Sequence, residues 1–234
     1  MKLLAFETTT EALSVAVSID GEVCERFELA PRRHAELALP WAEQLLAQAG
    51  VARAQLDAIA VSRGPGAFTG VRLGIALAQG VALALDRPVV PVSTLAALAM
   101  RATPLSDGAR VLAAIDARMG EVYAAGYTLR SGELHALNDE VVAAPDAIVL
   151  PDTVSGWIGV GTGFAAVEGA LQQRLGARFT AIDATQLPHA GDVVRLAALM
   201  FARGEAMAPE QVEPAYLRNN VALTLEQQRA LKAR

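Results

Sequence analysis

The stretch Ser62–Leu85, SRGPGAFTGVRLGIALAQGVALAL, constrains the fold more than any other part of the chain. An apolar strand, Ala58–Val61, runs into a loop punctuated by Gly64, Pro65, Gly66 and Gly70. The loop opens an apolar helix over Val71–Leu85, whose only strongly polar members are Arg72 and Gln79. Such a helix needs cover on all sides. It falls short of the roughly 20 residues a bilayer requires, so protein rather than membrane must supply that cover. Ala76, Gly80 and Ala84 recur at i, i+4 and i+8 and form a groove of small side chains, with Leu73 and Leu77 on a neighbouring face. Either the helix is core on every side, or one face meets a second subunit.

A chain of 234 residues has room for one large domain or two small ones, each with a proper core. The net charge of −5 and the lack of any basic run longer than Arg32–Arg33 argue against nucleic-acid binding by this chain alone. One cysteine, Cys24, excludes an internal disulfide and a cysteine metal cluster, and fits a reducing compartment. The opening MKLLAFETTTEA has too short an apolar run for a secretion signal, so a cytoplasmic protein is expected.

Along the chain, Lys2–Glu7, Leu13–Ile19 and Glu22–Leu29 read as three strands, the last two joined by the hairpin signal Asp20-Gly21. His34–Ala49 follows as a helix with Leu37, Trp41, Leu45 and Leu46 at helical spacing; Pro40 either bends it or marks its start. Ala58–Ser62 and Val89–Val92 are strands around the central helix, and Ser93 caps a short helix over Thr94–Ala102. After Asp107-Gly108 the order begins again. Val111–Asp116, Glu121–Leu129 and Glu133–Leu137 are strands, with Ser131-Gly132 at the second hairpin; Trp157–Gly161 is a strand, and Phe164–Leu175 and Ala190–Ala202 are helices. Two successive βββαβα halves without sequence repeat predict two similar mixed α/β lobes with a cleft between them, and a polar tail from Pro209.

Three turns have groups that can receive a phosphate. The first, Glu7-Thr8-Thr9-Thr10-Glu11, displays hydroxyls and amides but no cation. In the second, Gly64–Gly70, the start of the helix offers its positive end, with Arg72 as the nearby cation, yet the spacing is neither a P-loop nor GxGxxG. The third, Gly161-Thr162-Gly163-Phe164-Ala165-Ala166, fits GxGxxA with Asp183 downstream, but Arg178–Ile182 is the only candidate for a second strand, which leaves no clean βαβ unit. For catalysis, His34, His135 and His189 are scattered, and neither a histidine pair with metal spacing nor a G-x-S-x-G elbow occurs. Asp116-Ala117-Arg118-Met119-Gly120-Glu121 is the best polar cluster; it reads equally as a cleft-facing group and as a hairpin ion pair.

In combination, five segments resemble the TsaB (YeaZ) family of the bacterial tRNA threonylcarbamoyladenosine pathway: LLAFETTTEALSVAV, RRHAELALP, SRGPGAFTGVRLGIALAQGVALAL, VLAAIDARMGEVYAAGY and PAYLR. The resemblance implies an α/β, two-lobed, actin-like or Hsp70-like ATPase (ribonuclease H-like) fold. Residues 1–105 would form a partner-binding lobe and residues 106–234 a second lobe with a polar tail. It further implies a non-catalytic scaffold that binds the catalytic subunit TsaD. Together with TsaE, the pair supports threonylcarbamoyl transfer to N6 of adenosine 37 in ANN-decoding tRNAs, and tRNA is met only through the complex. The paired histidines that hold the metal in TsaD have no counterpart in Val92-Ser93-Thr94-Leu95-Ala96-Ala97, and Glu7 stands where an aspartate is usual in this fold. A degenerate nucleotide cleft would then comprise Glu7, Thr8, Thr9, Asp116, Gly161 and Gly163, with no cofactor required. The family's partner surface, used for a homodimer and for the TsaD heterodimer, maps to Leu37, Trp41, Leu45, Arg72, Leu73, Ala76, Leu77 and Gly80. The rival expectation is an enzyme, either an ATP-binding phosphotransferase or a glycoprotease-like metallopeptidase, working in its own cleft.

Overall fold

The computed structural model describes residues 1–218; the remainder of the expected polar tail lies outside the described residues. Strands β1 (Lys2–Glu7), β2 (Ala12–Ile19) and β3 (Glu22–Leu29) form an antiparallel meander. Its second hairpin turns on Asp20 and Gly21, both at positive φ (50° and 96°), as a two-residue turn between right-twisted strands requires. Strands β4 (Ala58–Ser62) and β5 (Val89–Val92) add in parallel beside β1, giving the order β3-β2-β1-β4-β5. The second sheet is built the same way from β6 (Arg110–Arg118), β7 (Glu121–Arg130), β8 (Glu133–Ala136), β9 (Val141–Ala143), β10 (Trp157–Val160) and β11 (Phe179–Asp183). Its order, β8-β7-β6-β10-β11, repeats that of the first sheet position for position, with β9 added alongside β7. These are the two similar mixed α/β lobes expected from the order of elements, in the duplicated, actin-like arrangement that the family resemblance implies.

One face of the first sheet packs against α1 (His34–Gln48) and α2 (Phe68–Leu85) through Leu4, Phe6, Val15, Ile59 and Val61. Strand alternation turns Leu3, Ala5, Ala16, Ala58 and Ala60 to the opposite face, where the small side chains admit α5 (Ala190–Ala202) at close range. The short helix α3 (Thr94–Ala99), capped by the Ser93 hydroxyl, which accepts from the Ala96 amide at 3.1 Å, does the converse. Although it follows β5, its Leu95, Leu98 and Ala99 pack on the second sheet against Val111, Ala113, Ala125 and Val160. Each half of the chain thus lends its last helix to the other half's sheet. The remaining face of the second sheet is covered by α4 (Ala166–Leu175) and the buried Trp157, Phe164 and Leu171.

Four expectations change. Helix α1 starts at His34 and continues through Pro40 rather than beginning there, and the exposed position of Pro40 lets water satisfy the carbonyl it leaves unbonded. Helix α4 does not begin cleanly at Phe164, because Val167, Glu168 and Gly169 all adopt left-handed φ inside its first turn. A βαβ unit does follow the third glycine turn: β11 pairs in parallel with β10 through Ile158↔Ala181 and Val160↔Asp183. Helix α2 starts at Phe68, two residues before the second-turn glycine, and is not covered on every side by this chain. Only 28% of its 18 residues are buried, although by length and composition it could cross a membrane.

Candidate functional site

A cleft of about 1160 Å³ opens between the two halves. Thr8, Thr9 and Thr10 of the β1–β2 turn, Gly66–Leu73 of the loop and α2, and Asp116, Arg118 and Thr162 of the second half line it. Glu7 does not reach the lining. It ends β1 on the α5 face of the sheet, fully buried, with Ser14 opposite it on β2 and Ser62 beside it on β4. Its Oε1 accepts from the Thr9 amide at 2.6 Å and from the Thr9 hydroxyl at 2.5 Å. Burial pushes the Glu7 carboxyl above its ordinary range, outweighing the Ser62 and Thr9 groups around it. Among the described residues, Glu7 Oε2 and Ser62 Oγ lack a hydrogen-bond partner.

The rest of the turn is engaged by α2. The Thr9 carbonyl accepts from the Ala67 amide at 2.7 Å, and the Thr8 hydroxyl donates to the Gly70 carbonyl at 2.7 Å. Gly66, Gly70 and Gly74 make this approach feasible: a Cβ on Gly70 would stand 2.1 Å from Thr8 O, and one on Gly66 would stand 2.6 Å from Thr9 O. The glycine loop therefore exists to seat a helix on the threonine turn. The Ala67 amide and the Thr8 hydroxyl are used in this contact, and the Thr9 amide and hydroxyl in the bonds to Glu7. The cations that line the cleft, Arg32, Arg72, Arg118 and Arg218, are all arginines.

Across the cleft, Asp116 is occupied by its own hairpin, accepting from the Arg118 amide and guanidinium at 2.8 Å each, while its amide donates to Thr162 Oγ1 at 3.1 Å. Gly161 and Gly163 are not cleft groups. A Cβ at Gly161 would lie 2.3 Å from Ala114 O and one at Gly163 2.7 Å from Ala114 Cβ, so both glycines press the turn onto β6. Asp183, the expected ribose contact, is held below its ordinary range by the Thr185 hydroxyl, Gln186 and the Thr185 amide. Among the described residues no three of histidine, cysteine, aspartate and glutamate converge as a metal site.

The residues expected on a partner surface divide. Trp41 and Leu45 are 4% and 2% exposed and lie in the core beneath α1, with Leu37 partly buried beside them. Helical spacing defined a face there, but it is the face that meets the sheet. On α2, Arg72, Ala76 and Gly80 are exposed, continuous with Leu83 and Ala84, while Leu73 and Leu77 are half-buried. Leu83 is 63% exposed, and nothing lies within 4 Å of the place a Gly80 Cβ would occupy. Beside this face, Leu39, Glu43 and Leu46 of α1 and Leu77, Gly80 and Ala84 of α2 border a groove of about 450 Å³.

Sequence reasoning missed a pairing at the α5 N-terminus. His189 Nδ1 lies 3.2 Å from Glu25 Oε2, and its ring stacks on Phe27 with centroids 4.1 Å apart. Burial works to raise Glu25, but hydrogen bonds from His189, Ser14 and the Gly191 amide outweigh it and hold the carboxylate below its ordinary range. Residues 164 positions apart leave no local signal of such a contact.

The family model described as "TsaD: tRNA N6-adenosine threonylcarbamoyltransferase" matches residues 27–225. The tRNA threonylcarbamoyladenosine biosynthesis protein TsaB of Escherichia coli is 44% identical over 230 residues, covering 95% of this chain and 96% of that protein. The chain belongs to the TsaB (YeaZ) family. The solved structure of YeaZ from Pseudomonas aeruginosa superposes with a TM-score of 0.83 at 45% identity, over 92% of this chain and 99% of that one. Likeness to the transferases themselves is local: the one from Magnetococcus marinus is 54% identical over 65 residues, only 18% of its length. TsaB-family membership thus rests on nearly the whole chain, and the TsaD family model spans residues 27–225, whereas the match to this individual transferase covers 28% of the chain.

Proposed function

We propose that this chain works in tRNA threonylcarbamoyladenosine biosynthesis as a non-catalytic subunit that docks a TsaD-type transferase on the outward face of α2. The uncovered apolar face of α2 is the observation that carries this reading. Arg72, Ala76, Gly80, Leu83 and Ala84 are open to solvent on a helix with almost no charge, a surface composition suited to the centre of an interface. The groove against α1 widens the face, and the small side chains allow a partner helix to approach closely. In the partner's absence the same face pairs two copies of this chain, and TsaE and tRNA join through the complex. The threonine turn supports the non-catalytic part, since the Thr8 hydroxyl and the Thr9 amide and hydroxyl are already used within the chain.

The test is threonylcarbamoyl transfer to unmodified tRNA with purified TsaD, TsaE and threonylcarbamoyl-adenylate, with this chain present, omitted or alone. Transfer that needs both this chain and TsaD is the expected result. Transfer by this chain alone, or indifference to its omission, overturns the reading. Gly80→Leu should abolish pairing with TsaD in a folded protein.

A further inference from the structure

The last described segment, Pro214–Arg218, belongs to neither sheet yet touches both sides of the cleft. Its start is fixed to the first half: Met207 bridges to Val89, Gln79 Nε2 donates to the Pro209 carbonyl at 2.9 Å, and Val212 is buried against α2. The Ala215 amide then donates to the Arg63 carbonyl at 2.8 Å. Tyr216 accepts from Arg72 Nε at 2.6 Å, and the Arg72 guanidinium lies 3.6 Å from the centre of the Phe68 ring. Two residues on, Arg218 crosses to the second half. Its Nη2 donates to Glu121 Oε2 at 2.6 Å and to the Ala117 carbonyl at 3.1 Å, at the β6–β7 turn.

Elsewhere the halves are joined by groups outside the cleft lining. Helices α3 and α5 are exchanged between the sheets, and Glu140 of the second half meets the Ser93 hydroxyl and Arg63 of the first. Those contacts join the halves through groups outside the lining, and Pro214–Arg218 joins them across it, through Ala215–Arg218.

We propose that Pro214–Arg218 is a strap that sets the opening of the cleft, fastened to the second half by Arg218. The exchanged helices form the hinge side, and the strap limits rotation about it. Its Arg72 anchor sits one turn before Ala76 on the outward face of α2, so the strap ends at the edge of the face assigned above to the partner. A charge-assisted fork to one carboxylate and one carbonyl is strong enough to bias local opening.

Hydrogen exchange on the full isolated chain tests this. Arg218→Met, and Glu121→Ala from the opposite side, should each speed exchange of the amides in Gly64–Gly70 and Ala117–Val122 about tenfold or more, leaving β1 and β4 unchanged. Arg218→Lys, which keeps the charge but not the fork, should fall between. Parental rates in both loss variants overturn the proposal, as does a uniform rise across the chain, which would mean general destabilisation. No partner is needed, so this result is independent of whether the chain binds TsaD.

Discussion

Glu7 folds back to accept both the amide and the hydroxyl of Thr9, two residues on in the same turn. The longer carboxylate side chain thereby closes the turn from within, and its burial favours the neutral form. The folded chain holds the Glu7 proton more tightly than the unfolded chain, whose carboxyl titrates near 4.5. This contribution to stability is complete below that value and is lost as pH rises through the window up to the raised folded value. Glu7→Gln keeps an acceptor for Thr9 and removes the titration. Its melting temperature should exceed the parent's near neutral pH, by about 2–4 °C for each kcal/mol gained, and converge with it toward pH ~4. A difference independent of pH would contradict the assignment.

The same closure predicts how the chain treats ATP. Calorimetric titration of ATP into the isolated protein should give no saturable binding in the micromolar range. Micromolar binding that a Thr9→Val, Asp116→Ala double variant abolishes would show that the turn opens to a phosphate.

Two glycines of α2 should respond in opposite ways to alanine. At Gly70 the added methyl meets a backbone carbonyl that cannot yield cheaply, and overpacking of this kind costs about 1–3 kcal/mol or more. At Gly80 the methyl enters open space, and the gain in helix propensity is worth up to about 1 kcal/mol. Chemical denaturation of both variants checks the pair.

Core and surface on the two helices separate likewise. Trp41→Ala should cost about 3–5 kcal/mol of folding stability because it empties the space beneath α1. Leu83→Asp, on a 63% exposed residue, should change stability by no more than about 0.5 kcal/mol. It should instead weaken pairing with TsaD by about tenfold or more, read by titration of one protein into the other.

Much of the architecture was legible because its signals are local. Asp20-Gly21 and Ser131-Gly132 announce two-residue hairpins, and both turns have the positive φ values those residues permit. The boundaries of β1, β3, β4, β5 and α5 follow directly from apolar runs and their punctuation. What the sequence hid is of three kinds. Periodicity at Trp41 and Leu45 marks a stripe but not which neighbour covers it, so core was read as interface. The glycines of Gly161–Gly163 have the spacing of a phosphate turn, and only the proximity of Ala114 shows that they serve packing. Contacts such as Arg72 with Tyr216 and Glu25 with His189 join residues far apart in the chain, where no spacing rule applies.

The exchange of α3 and α5 also orders events during synthesis. Leu3, Ala5, Ala16, Ala58 and Ala60 leave the ribosome early, yet the helix that shelters them is Ala190–Ala202. Until most of the chain has emerged, the first sheet presents a bare apolar face to whatever is nearby. The nascent protein therefore carries its greatest risk of misassociation late in translation, and relief arrives only when nearly the last described element docks.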